Sequence, residues 1–116
     1  MTIQRLQPGP RMSQAVIHSD VVYLAGQVAL DNAGKPVADQ TRGILRRIDA
    51  LLEQAGTDKS KLLSATIWLA DISTFAEMNT VWDAWVDPAN TPARATVEAR
   101  LAAPEYTVEI AVTAAL

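Results

Sequence analysis

Pro92-Ala93-Arg94-Ala95-Thr96-Val97-Glu98-Ala99-Arg100-Leu101 is followed closely by Tyr106-Thr107-Val108-Glu109-Ile110-Ala111-Val112. Both runs mix β-branched with small residues and read as two adjacent β-strands. Side chains alternate along a strand, so Arg94, Thr96 and Glu98 share one face, and Ala95, Val97, Ala99 and Leu101 the other. In the second run Val108, Ile110 and Val112 share a face, with Thr107, Glu109, Ala111 and Thr113 opposite. Pairing the two strands is expected to place an arginine and a carboxylate on one sheet surface. A guanidinium fork suits a carboxylate ligand, and a glutamate can take a proton from water. The plainer alternative is a solvated polar face with exposed ion pairs.

The rest of the chain bounds these alternatives. It has 116 residues, 49% hydrophobic and 20% charged, which fits one globular domain over residues 1–116. The net charge is −3 and the pI about 5.0, so no basic track for nucleic acid is expected. The absence of cysteine removes disulfides, thiolate catalysis and Cys-based zinc sites. His18 is the single histidine and sits beside the turn residues Ser19-Asp20, so a His-rich metal site is excluded. Met1 to Pro10 contains no apolar run and no stretch is long enough to span a bilayer, so no signal peptide, no membrane contact and a cytoplasmic location are expected.

Pro8-Gly9-Pro10 makes residues 1–13 a short strand and then a loop. Residues 14–17 and 21–28 are expected to form a hairpin around the turn His18-Ser19-Asp20, and Gly26 within its second strand marks a bulge, a close approach of another group or simple packing. A helix is predicted over 39–55, where Ile44, Ile48, Leu51, Leu52 and Ala55 recur at helical spacing and Gly56 follows as a stop. Arg42, Arg46 and Arg47 fall on its wet side. A strand over 61–69 precedes Thr74 and Glu77, which have capping-box spacing. The second helix then runs over 75–86, with Phe75, Met78, Trp82 and Trp85 as a core-facing stripe. Strands over 94–101 and 106–115 complete an α+β, ββαβαββ mixed sheet with two helices on one face. The other face retains Tyr23, Ala25, Ala111 and Thr113; such a half-apolar surface is expected to be covered by further copies of the chain, and clefts often lie at such seams.

Gly26-Gln27-Val28, Thr66-Ile67-Trp68-Leu69-Ala70-Asp71 with Phe75 and Asn79, Pro92-Ala93-Arg94 running to Val97-Glu98, and Val108-Glu109-Ile110 together resemble the RidA/YjgF/UK114 family, the reactive-intermediate deaminases. The resemblance covers nearly the whole chain. It implies a chorismate-mutase-like subunit in a homotrimer whose sheets form an inner barrel, with an active site between subunits. It also implies that Arg94 grips a substrate carboxylate, that Glu109 positions or activates water, and that the Gly26 backbone lines the site. Thr96 stands where many members have Cys. Met12 stands where many have Tyr, Ala25 replaces a frequent Ser, and the loop before Pro92 is shorter, as in a divergent subgroup whose pocket rim differs.

The activity this implies is hydrolysis of a 2-imino acid, or its enamine tautomer, to a 2-keto acid and ammonia. No metal or organic cofactor is called for, because an imine is already electrophilic. The partner is a small imino acid bearing a carboxylate. The alternative is a non-catalytic, small-molecule-binding or regulatory trimer using the same cleft. Chorismate mutase chemistry rests on fold analogy alone and wants several cations, of which only Arg94 is firmly placed, with Arg5, Arg11 and Arg100 as loose candidates. Ribonuclease activity, linked with the wider family, gains no support from an acidic chain with one histidine.

Overall fold

The computed structural model describes residues 2–116; Met1, the first residue of the expected domain and N-terminal strand, lies outside it. The elements are β1 (Ile3–Pro8), β2 (Ser13–His18), β3 (Val21–Leu24), α1 (Val37–Ala55), β4 (Leu62–Leu69), α2 (Phe75–Trp85), β5 (Ala93–Glu98) and β6 (Val108–Ala115). The expected mixed sheet with two helices is present, extended at the front by β1, which pairs with β2 along almost its whole length. The strand order is β1-β2-β3-β6-β4-β5. Only β4 and β5 are parallel, as they must be when α2 carries the chain back between them.

One expectation is overturned here. β5 and β6 are not neighbours: β4 lies between them, with β6 antiparallel on one side and β5 parallel on the other. β4 is the most enclosed strand by pairing, and its central Ala65, Ile67 and Leu69 point into the core.

That core is the layer between the sheet and the two helices. Ala15, Val22, Leu24, Val108, Ile110, Val112 and Ala114 alternate into it from the strands. Ile44, Leu45, Ile48 and Leu52 meet them from α1, and Met78 and Trp82 from α2. Removing such apolar surface from water is worth about 25 cal/mol per Å2 and dominates the stability. Gly56 ends α1 in the left-handed conformation (φ 89°), and its N–H bonds to the carbonyls of Leu52 and Glu53.

α2 begins at Phe75 as expected, but the start of α1 and the capping of both helices differ from the sequence expectation. α1 begins two residues early because Glu77 of α2 accepts a hydrogen bond from the Ala38 N–H at 3.0 Å. Glu77 therefore caps the neighbouring helix rather than its own. Thr74, the expected partner in a capping box, instead donates its hydroxyl to the Asp71 carbonyl, and α2 has no side-chain cap. Gln40, fully buried, ties α1 to two loops: it donates to the carbonyls of Lys35 and Glu105 and accepts from the Thr107 N–H.

Candidate functional site

The sheet sorts the candidate residues onto two sides. Ala65 of β4 is paired with Arg94 and with Val112, and all three lie on the helix side. Trp68 is paired with Val97 and with Glu109, which lie on the open side. Arg94 and Glu109 of one chain therefore occupy opposite faces, against the expectation of a shared surface. The alternation within each run was right; the assumption that the two runs pair directly was not.

On the helix side, Arg94 is half-buried against α2. One guanidinium N–H donates to Asn79 Oδ1 at 2.8 Å. The guanidinium carbon lies 5.3 Å from the Trp82 ring centre and 5.7 Å from that of Phe75, so both rings hold it by cation–π attraction. Among the described residues no carboxylate pairs with it. The result is a cation fixed in direction but not neutralised, with donors left for a planar anion. The aromatic stripe of α2 thus divides: Met78 and Trp82 fill the core, while Phe75 stays 39% exposed beside Arg94. Periodicity alone assigned these rings to packing. The signal that finds their second role is Asn79, a poor helix former placed mid-helix between them.

Thr96 lies next to Arg94 on the same face, and its hydroxyl oxygen is buried without a hydrogen-bond partner among the described residues. Glu98 closes the strand by accepting the Ile72 N–H at 3.0 Å, which fixes the turn leading into α2. β5 thereby presents an arginine without an anionic partner near its start and a structural carboxylate at its end.

On the open side, Glu109 and Gly26 meet. β3 ends at Leu24, and Gln27 then makes a separate bridge to Ile110 of β6, with N–H to carbonyl distances of 2.8 and 3.1 Å. The bridge lays Gly26 against the neighbouring side chain so closely that a Cβ there would overlap Oε2 of Glu109 and lie 3.0 Å from its Cδ. The close approach expected of this glycine is thus supplied by Glu109. Burial pushes the Glu109 carboxyl above its ordinary value, and among the described residues neither a hydrogen bond nor an ion pair engages it. A half-buried carboxylate without a resident donor is suited to accept a proton from water.

A polar chain braces this loop from behind. Buried Gln27 donates to Gln14 Oε1 at 2.9 Å and to the Ala25 carbonyl at 3.1 Å, and accepts from Arg47 Nε at 3.1 Å. Arg47 is therefore part of the scaffold, contrary to its expected place on a solvated helix face. Ala25 is held as well through its own N–H on the Gln14 carbonyl. Met12 lies in the β1–β2 connection, 48% exposed, its carbonyl accepting the Gly9 N–H.

The structure thus holds two separate candidate groups: an oriented arginine beside a buried hydroxyl, and a half-buried carboxylate packed on a glycine. A match to the model of the Endoribonuclease L-PSP family runs over residues 2–116. The chain belongs to this family, which includes the YjgF and RutC proteins. Over 114 residues it is 46% identical to a RutC family protein of Haemophilus influenzae, covering 98% of each chain. It is 45% identical to the RutC family protein YoaB of Escherichia coli over the full length of both. The crystal structure of NMB1025, a YjgF-family protein of Neisseria meningitidis, superposes with a TM-score of 0.95 at 47% identity, covering 99% of this chain and 95% of that one. The α+β fold with its mixed sheet and two helices is the YjgF fold. No helix among the described residues is long and apolar enough to cross a membrane.

Proposed function

We propose that this YjgF-family protein hydrolyses reactive 2-imino acids to 2-keto acids and ammonia at a cleft between copies of the chain. The observation that carries the proposal is the Arg94 guanidinium, aimed by Asn79 and two rings yet left without an anion. It makes two charge-assisted bonds to the substrate carboxylate and fixes the adjacent imine carbon. Water adds to the carbon of the protonated imine as the C=N π electrons move to nitrogen, and Glu109 takes one water proton, leaving a neutral carbinolamine. Glu109 returns that proton to the amine, the carbinolamine collapses to the ketone as its O–H electrons form C=O and the C–N bond breaks, and the hydroxyl proton passes through Glu109 to the departing ammonia, which leaves as ammonium. The Thr96 hydroxyl and the backbone at Gly26 orient nitrogen and water. The imine supplies its own electrophile, so the scheme uses no cofactor.

Because Arg94 and Glu109 face opposite ways, the scheme joins Arg94 of one copy to Glu109 of the next. A closed homotrimer supplies that junction. Support comes from the open sheet face, where Tyr23 is 48% exposed and Thr113, Trp68 and Val97 continue the surface.

The test is a coupled assay in which an amino-acid oxidase generates 2-iminopropionate and keto-acid release is followed. The parent should accelerate release, and Arg94→Ala should lose about ten- to a hundred-fold in kcat/KM through the missing charged hydrogen bonds. Glu109→Gln should lose about 10²-fold or more in kcat. With water activation by a carboxylate of raised pKa, the parent rate should climb as pH rises through that pKa, and Glu109→Gln should lack this limb. Equal rates for parent and Arg94→Ala, with assembly intact, would overturn the assignment.

A second reading, a binding or regulatory trimer without turnover, is favoured by Met12 and Ala25, which bring no polar group to the rim. It predicts carboxylate binding lost in Arg94→Ala with no ammonia released by the parent. RNA cleavage, suggested by the family's name, is not supported: the chain is net acidic, and its one histidine is exposed at the end of β2.

A further inference from the structure

Away from both candidate groups, α1 and α2 diverge over a groove of about 410 Å3 on the solvent side of the helix layer. Its floor is apolar, made by Leu45, Val81 and the Trp85 ring. Beside Val81 and Trp85, α2 contributes only the short side chains of Thr80 and Ala84. Its rim is cationic: Arg42 and Arg46 from α1, and Lys59 from the turn before β4. No carboxylate lines it.

The charges are arranged against ordinary helix economy. Arg42 and Arg46 stand four residues apart, where like charges repel by about 0.2–0.5 kcal/mol and an acid is the stabilising choice. Asp39 engages one Arg42 N–H at 3.0 Å. Arg46 has no ion-pair or hydrogen-bond partner among the described residues. Lys59 lies 5.3 Å over the Trp85 ring and acts electrostatically on Asp87 without forming an ion pair with it. The indole N–H of Trp85 is already used, donating to Asp49 at 3.0 Å, which locks the ring as a fixed wall. In a chain of net charge −3 the groove's own lining thus gathers three cations beside a flat apolar surface, Arg42 offset by Asp39 and Lys59 by Asp87, with Arg46 left unpaired.

We propose that this groove is a second binding site, for a small molecule with a flat apolar body and one carboxylate. The body lies on Trp85 between Leu45 and Val81, and the carboxylate bridges Arg46 and Lys59. The site is independent of the deaminase proposal. Its lining residues do not include Arg94, Thr96, Gly26 or Glu109.

The probe is 2-naphthoate, followed by backbone and indole N–H shifts in 15N-labelled full-length protein. Binding should move the Trp85 indole and the amides of Val81 and Ala84. Acetate and 2-naphthylmethanol, which carry the charge and the ring separately, should each bind far more weakly. Arg46→Gln with Lys59→Gln should weaken naphthoate roughly ten-fold or more, from two lost charge-assisted contacts. Ala84→Trp, which fills the groove, should abolish the shifts while the exposed position leaves the fold intact. Three outcomes would overturn the proposal: equal affinity in the double variant, equal binding of the uncharged alcohol, or shifts confined to Arg94 or the open sheet face.

Discussion

Gly26 is the position where one methyl group separates stability from chemistry. A Cβ there meets the carboxylate of Glu109, the movable end of a flexible side chain, rather than any backbone. Gly26→Ala should therefore shift the melting temperature by no more than a degree or two while displacing the carboxylate and lowering kcat about as far as Glu109→Gln. Thermal melts beside the imine assay would check this. The raised Glu109 pKa has its own sign: a carboxyl that binds its proton more tightly when folded favours the fold at low pH, and that contribution is lost as pH rises through the folded pKa. Glu109→Gln should accordingly raise the melting temperature relative to the parent at neutral pH, with the gain fading on acidification. Asn79 makes the matching point for the other candidate group. Asn79→Asp would keep the contact to Arg94 but convert it to an ion pair. It should raise KM by roughly ten-fold through competition with the substrate carboxylate, whereas Asn79→Ala should cost less.

At the scale of elements, the cap that Glu77 provides to α1 is the contact least visible beforehand. Glu77→Ala should destabilise the protein by about 0.5–1 kcal/mol, the usual worth of a partly exposed cap, without altering the imine kinetics. Urea titration would measure it. Thr74 and Glu77 have the right spacing for a box on their own helix; their neighbours in space, Asp71 and Ala38, redirect both. The same limit applies to the strands. The alternation of Arg94, Thr96 and Glu98 against Val108, Ile110 and Val112 was legible because period 2 is written into each run. That β4 would separate them was not, because parallel pairing across a helical crossover leaves no local signature. β1 was underestimated because Pro8-Gly9-Pro10 reads as a loop, and the loop in fact begins only after Pro8 closes the strand. Arg47 was read as a solvated residue because its partner, Gln27, is distant in sequence and buried. Glycine 26, by contrast, announced a close approach by its type, though not the identity of the group approaching.

For the whole molecule, the sheet is both the organiser and the divider. Its helix side is closed by the core, and its open side carries Glu109, Tyr23 and Thr113. A chain that holds its arginine on one side and its glutamate on the other has a genetic consequence. Two dead proteins should rescue each other. On the proposed trimeric scheme, Arg94→Ala retains the carboxylate half and Glu109→Gln retains the guanidinium half, so trimers reassembled from an equal mixture should contain intact clefts at about a quarter of the junctions. Activity should reappear only after subunit exchange, and a double mutant mixed with parent should show no such gain. Were both groups to serve from a single chain, mixing would restore nothing. The face on which a side chain stands, fixed by one strand inserted between two others, thus becomes a property that two inactive alleles can report.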